Sequence, residues 1–413
     1  MGAMTSRYSL FLFLLLGILA CNDLGTTSLD QRVPPRPLTS SENAIVTADN
    51  SFGFKLFAAV NKSDAAKSVF ISPLSVSMAL GMTLNGANGS TRDAMIQTLE
   101  FTGMKQADIN ASYQSLIALL VGLDPKVTFQ IANSIWHRPE LNVEQAFRDA
   151  NSTYFNAEIN SLNFSDPNAS KTINAWVDRC THGKISEIVP TTIPAEIVMY
   201  LINAIYFKGT WTQSFDSSVT RDDLFTRIDG SHTTCKMMHQ KKNLKYYADG
   251  QLQAVDLPYG DAGFSMTILL PAAGTNIDDF AAQLTPQIWN ASTSGLVSRE
   301  TELYLPKFKF EYEKPLNDML KSMGMSIAFS LKDADFTNID KRGQLYISEV
   351  RHKTFVQVDE EGTEAAAVTS VGVGATSVGQ NLVMRVDRPF IFVIRENTSG
   401  TVLFIGKIVE PKF

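Results

Sequence analysis

The side chains that most often do chemistry are sparse in this sequence of 413 residues. Five histidines, His137, His182, His232, His239 and His352, occur singly. The three cysteines, Cys21, Cys180 and Cys235, form no CxxC pair and are too few for a disulfide scaffold or a zinc site. There is no G-x-S-x-G nucleophile elbow, no HExxH pair and no Walker loop. Gly372-Val373-Gly374-Ala375-Thr376-Ser377 approaches a dinucleotide fingerprint, but Ser377 stands where the third glycine belongs and Gly379 interrupts any following helix. His352, between Arg351 and Lys353 beside a strand, suits a histidine hydrogen-bonded within the fold better than a catalytic one. Enzyme templates therefore fail, and neither metal nor cofactor is expected.

A different chemistry is written into one stretch. Glu360-Glu361-Gly362-Thr363-Glu364 leads into a long segment of small, nearly uncharged, glycine-punctuated residues ending near Gly379. Loops longer than about 12–15 residues in compact domains are usually functional or disordered. At the two-residue period of a strand, Thr363, Ala365, Ala367, Thr369, Val371 and Val373 share one face, and all are small or apolar. Glu364 falls on the other face. The segment is composed as a loop that could join a sheet with one side buried.

The elements around it divide into two textures. Helical spacing marks Ala44 to Val60, Thr91 to Leu99, Ser112 to Leu123 and Asn168 to Lys184. Ser72 can cap a helix that opens at Pro73 and runs to Gly86. Strands are predicted over Val127 to Ile135, Val198 to Gly209, Leu244 to Leu257, Phe264 to Leu270, Glu302 to Phe310, Thr354 to Asp359, Phe390 to Glu396 and Thr401 to Val409, with one late helix from Leu316 to Phe329. Val198 to Gly209 is apolar enough for a strand buried on both faces. Helices crowd the first half and strands the second, which predicts an α+β fold and no parallel nucleotide-binding sheet.

Composition and the chain ends narrow the setting. Thirty-six basic against 42 acidic residues give a net charge of −6, which disfavours a nucleic-acid partner. The lysines at 236, 241, 242 and 245 read as a solvated surface. Length alone suggests nearly three domains. However, no Pro/Gly-rich linker follows residue 45, so one domain from 48 to 413 is expected. Residues 1–20 carry Arg7, an apolar run and a small boundary residue, the pattern of a secretory signal peptide. Ala20-Cys21 resembles a bacterial lipobox, making Cys21 the expected lipid attachment site, with residues 21–47 as anchor and Pro-rich tether. Leu19 is bulkier than that motif usually has, so ordinary signal cleavage is the other reading. Met1 to Ser6 also fits a myristoylation pattern, which the apolar run makes the poorer explanation. An exported protein follows, held at the cell surface or outer membrane if bacterial and otherwise secreted.

Five motifs, in order and at matching spacing, resemble the serpin family over about residues 48 to 413. They are Phe70-Ile71-Ser72-Pro73-Leu74-Ser75, Leu201 to Trp211, Glu360 to Ala367, Asp387-Arg388-Pro389-Phe390-Ile391-Phe392 and Leu403-Phe404-Ile405-Gly406-Lys407. The resemblance implies three β-sheets with eight or nine helices and an exposed reactive loop at about 360–385. It also implies a monomer that acts as a suicide substrate: a protease attacks the loop, and the cleaved loop inserts into the main sheet before the acyl-enzyme can hydrolyse. Glu360, Glu361, Gly362, Thr363, Glu364, Ala365, Ala366 and Ala367 match the inhibitory hinge. Ser72, Ser75, Asn203 and His352 fall in the family's shutter, and Trp211 in its breach. Lys307 matches the partner of Glu360. Counting from Gly362 sets the scissile bond at Thr376–Ser377, and counting back from Phe390 sets it at Val378–Gly379. No Arg or Lys lies between Lys353 and Arg385, so elastase-like or subtilisin-like serine proteases, or a cysteine protease, are the expected targets. The alternatives, a non-inhibitory carrier or chaperone on the same fold or a surface-binding lipoprotein, would favour a hinge with charges or prolines.

Overall fold

The computed structural model describes residues 36–363 and 382–413. Nine α-helices lie among them: α1 Ser40–Ser63, α2 Pro73–Leu84, α3 Gly89–Thr98, α4 Gln106–Leu120, α5 Gln145–Phe155, α6 Ala169–Cys180, α7 Ile277–Gln283, α8 Pro286–Ser294 and α9 Asn317–Leu320. The strands are β1 Val69–Ile71, β2 Val127–His137, β3 Glu158–Ser161, β4 Met199–Thr210, β5 Arg221–Thr226, β6 His232–Ala248, β7 Leu252–Tyr259, β8 Phe264–Pro271, β9 Val297–Pro306, β10 Phe308–Pro315, β11 Arg351–Val358, β12 Gly362–Thr363, β13 Leu382–Arg385, β14 Phe390–Glu396 and β15 Val402–Ile408. This is an α+β fold.

One sheet runs β10-β11-β12-β4-β2-β3. The remaining strands are joined in the order β1-β15-β14-β8-β7-β6-β9-β13, with β5 also on β6. The long strand β6 links two lobes: residues 245–248 pair with β7, while residues 237–246 pair with β9 and 232–237 with β5. Between the sheets lies an aromatic core in which Phe70 stacks on Phe404 and Phe392, with centroids 5.2 and 5.4 Å apart.

Local chemistry sets the ends of the key elements. Ser72 caps α2 by accepting from the Ser75 amide, and Pro73 occupies the first turn, where no amide is needed. Thr39 and Glu42 close a capping box on α1. Four sequence expectations change. The predicted strand from Leu244 to Leu257 is two strands, because Asp249 accepts from the Gln251 and Leu252 amides and turns the chain. The strand predicted over 302–310 breaks at Lys307, so β9 and β10 belong to different sheets. The late helix is not one regular helix: after Leu320 it continues as a π turn over Lys321–Met325 and a 3-10 turn over Ser326–Phe329, kinked at Gly324, whose φ of 120° an L residue resists. Finally, β4 is not buried on both faces: Met199 to Leu201, Asn203 and Ile205 are partly open. The reason lies beside it.

Candidate functional site

Strand β12 is two residues long, and among the described residues it alone lies between β4 and β11. Gly362 and Thr363 pair with Thr210 and Gly209 on one side, and Thr363 pairs with Val358 on the other. Below Thr363 no ladder joins β4 to β11 among the described residues. Instead a lane runs down between them. A small void of about 20 Å³ sits under Thr363, lined by Ile205, Phe207, Thr354 and Val356. Further down, a cavity of about 170 Å³ reaches Ser72, Ser75, Asn203 and His352. Two strand edges facing an unfilled lane are a template for adding a strand.

The top of the lane is tightly built. The Thr363 side chain is 3% exposed, and its hydroxyl lies 2.7 Å from the Tyr259 hydroxyl. Tyr259 stacks on Trp211 at 4.4 Å, and the Trp211 indole N–H donates to the Asp359 carbonyl. The Trp211 and Phe215 amides donate to the Glu361 and Glu360 carbonyls, fixing the turn before β12. Gly362 has φ 154°, and a Cβ there would lie 2.0 Å from the Gly209 carbonyl oxygen, so no larger residue fits. Glu360 pairs with Lys307 at 2.7 Å and accepts from Thr220 at 2.7 Å. Burial pushes the Glu360 carboxyl upward, but Lys307 and Thr220 outweigh it and hold the pKa below its ordinary value. Burial, reinforced by Asp359 and Glu360, raises Glu361.

In the middle of the lane the bonds from α2 join uncharged groups, while Arg351 and Lys353 on either side of His352 pair with Glu313, Glu349 and Glu311. The Ser72 amide donates to His352 Nε2 at 3.0 Å, which makes that nitrogen the bare one. Ser72 Oγ donates to the Leu403 carbonyl and Ser75 Oγ to the Asn203 carbonyl. Asn203 donates to Asn133 Oδ1 at 2.7 Å, while its own Oδ1 is buried and unpartnered. Burial depresses the His352 pKa to about 4.

The structure thus brings Ser72, Ser75, Asn203 and His352 to one point of the lane, and Trp211, Lys307 and Glu360 to Thr363 at its head. Glu364 to Ala367, the bonds Thr376–Ser377 and Val378–Gly379, and Cys21 lie outside the described residues. Sequence reasoning missed Tyr259, Thr220 and Asn133. Tyr259 and Thr220 flank no motif read for the hinge, and Asn133 announces itself only through its register opposite Asn203 in β2 and β4.

The molecule is therefore a mixed α+β body whose six-stranded sheet parts between β4 and β11 below a buried threonine, Thr363. The chain belongs to the serpin family: residues 47–411 match the family model described as serpin (serine protease inhibitor). Among its relatives, human serpin B11 is 32% identical over 390 residues, covering 89% of this chain and all of that protein. The pig leukocyte elastase inhibitor is 35% identical over 376 residues, covering 88% and 98%. Among solved structures, the thermophilic serpin tengpin in its native state matches with a TM-score of 0.82 at 32% identity, covering 92% of this chain and 96% of that one. Human thyroxine-binding globulin complexed with its ligand matches at 0.83 and 27%, covering 91% and 100%. The sheets and nine helices of the described residues match the architecture of solved serpins, and the family's description is that of serine protease inhibitors. Among the described residues no helix is long and apolar enough to cross a membrane.

Proposed function

We propose that this chain is an irreversible suicide-substrate inhibitor of serine endopeptidases with small apolar specificity pockets. The observation that carries the reading is Thr363, already seated between β4 and β11 above an unfilled lane. Relatives named leukocyte elastase inhibitor support it at the level of activity.

In the proposed mechanism a protease acylates the loop at Thr376–Ser377, with Val378–Gly379 as the second candidate. The freed limb then follows Thr363 down the lane. Continuing the β12 register residue by residue sets Ala365 between Phe207 and Val356, Ala367 between Ile205 and Thr354, and Thr369 between Asn203 and His352. The Thr369 hydroxyl would then offer a proton to the orphaned Asn203 oxygen. A strand addition that satisfies two edges and buries one small-residue face supplies the driving force, so the native state is a kinetic trap.

Residues 1–20 as signal peptide and Cys21 as lipid anchor complete the reading, with export to the cell surface and a monomeric state. The tether expected over 21–47 shortens to the residues before Thr39, because α1 starts at Ser40 and already buries Ile45 and Val46. Incubation with a subtilisin-like and an elastase-like protease should yield an SDS-stable complex, and mass spectrometry of the released fragment should place the cut. Loop nicking should also raise heat resistance markedly. Cleavage without a complex and without that rise would leave a carrier on a serpin fold.

A further inference from the structure

The ion pair at the head of the lane has a third member at the end of the sequence. The Lys307 ammonium, 2.7 Å from Glu360, also lies 4.2 Å from the centroid of the Phe413 ring. The segment bearing that ring is laid along β10 by the Lys309 amide, which donates to the Lys412 carbonyl. Phe413 is 58% exposed, so it gains little from burial, yet the Lys307 side chain beside it is only 17% exposed. A ring face attracts a cation through its quadrupole, most strongly where water is excluded. Here it also shields an ammonium from solvent and confines a long, flexible side chain that could otherwise leave Glu360.

We propose that Phe413 is a positioning residue for the hinge: by covering Lys307 it holds the Lys307–Glu360 pair closed and delays entry of the loop into the lane. This rests on the inhibitory reading for its consequence, though not for its geometry. Glu360 lies two residues before Gly362, and its carbonyl and carboxylate anchor the turn from which β12 departs. A freer Lys307 therefore loosens the turn that times insertion.

Two measurements on the full chain test it. Reaction of Lys307 with an acylating reagent, followed by mass spectrometry, reads the cover directly and does not depend on whether the protein inhibits anything. Phe413→Ala should raise that rate about two- to fivefold, the size of one partly exposed cation–π contact, and Phe413→Tyr should restore it. Spontaneous conversion of native protein to a heat-resistant, loop-inserted form should accelerate by a similar factor in Phe413→Ala. In a Lys307→Met background, where the apolar contact persists but the cation is gone, Phe413→Ala should change the conversion rate no further. Unchanged labelling in Phe413→Ala would overturn the proposal, as would an equal acceleration with Lys307→Met in place. Failure to form protease complexes with labelling still enhanced would sink the inhibitory reading and leave the latch standing.

Discussion

The head and the middle of the lane keep the same two strands apart by opposite means. At the head, Thr363 fills the gap and an ion pair guards the rim, Lys307 to Glu360. At the middle no described residue fills it, and the strands are spanned from below by uncharged hydrogen bonds from the start of α2. The head sets a charge pair beside the gap, while the bonds across the middle join neutral groups. Each half should therefore answer to its own perturbation.

The largest effect should come from charge placed in the head. Thr363→Arg puts an unpaired guanidinium where a 3% exposed side chain now sits between two strands. The hinge cannot seat, and inhibition should turn into substrate turnover, with the yield of SDS-stable complex falling at least about tenfold. A yield equal to that of the unaltered protein would show that Thr363 is not the first residue to insert.

The middle should answer to protons. In its neighbourhood Asp49 of α1, Ser77 of α2 and Tyr113 of α4 form a triangle of oxygens with edges of 2.5, 2.6 and 2.8 Å. Ser77 and Tyr113 each donate to Asp49 Oδ1, while its other oxygen is buried without a partner. Burial accordingly raises the Asp49 pKa to about 7, against an ordinary 3.8, with Ser77 and Tyr113 only partly offsetting it. His352 moves the other way, to about 4 from 6.5. Both are uncharged between about pH 4 and 7, on either side of α2. The stability that Asp49 contributes is full below 3.8 and lost as pH rises through about 7. That of His352 is full above 6.5 and lost as pH falls through about 4. The two slopes cancel across the window they share. Asp49→Asn should uncover the histidine's slope, losing stability relative to the unaltered protein by about 1.4 kcal/mol per pH unit from pH 6.5 down to 4. His352→Gln should gain by the same measure. Urea unfolding at several pH values checks this, and parallel curves for all three proteins would refute it.

Much of this contrast was legible in the sequence, and unevenly so. Thr363 reads out because a strand's period of two is local, and the structure buries it between β4 and β11. Ser72-Pro73 reads out because a cap is local as well. The triangle does not, since Asp49, Ser77 and Tyr113 come from three helices and each alone looks like an ordinary helix residue. Tyr259 is hidden for the same reason, because it reaches Thr363 from another sheet. The breaks at Lys307 and Asp249 leave local marks: buried positions change phase from Leu303 and Leu305 to Phe308 and Tyr312, and Asp249-Gly250 interrupts the alternation between Tyr246 and Leu252.

A smaller effect should follow from loosening the hinge without charging it. Tyr259→Phe keeps the stack on Trp211 and removes only the hydroxyl facing Thr363. Leaving that buried threonine hydroxyl unpaired costs about 1–2 kcal/mol. The Gly362 and Thr363 amides should then exchange hydrogen roughly tenfold faster while those of β15 stay unchanged. Uniform acceleration across both would mean that the ring, and not the hydroxyl, was the constraint.

Salt should produce the smallest response and the cleanest separation. Lys307 and Glu360 keep 17% and 11% of their side chains in contact with solvent, so mobile ions reach the pair but cannot surround it. Moving from 0.05 to about 0.5 M salt shortens the screening length to a few ångströms and should cost the pair no more than about 1 kcal/mol. The hydrogen bonds of Ser72, Ser75 and Asn203 carry no net charge and offer salt nothing to screen. Spontaneous conversion should therefore quicken by a few-fold with salt in the unaltered protein and in Asp49→Asn alike. In Lys307→Met that dependence should vanish, because the Lys307–Glu360 pair has gone. If the salt response survived in Lys307→Met, ions would be acting on the middle of the lane, and the neutral bonds across it would not be what holds it.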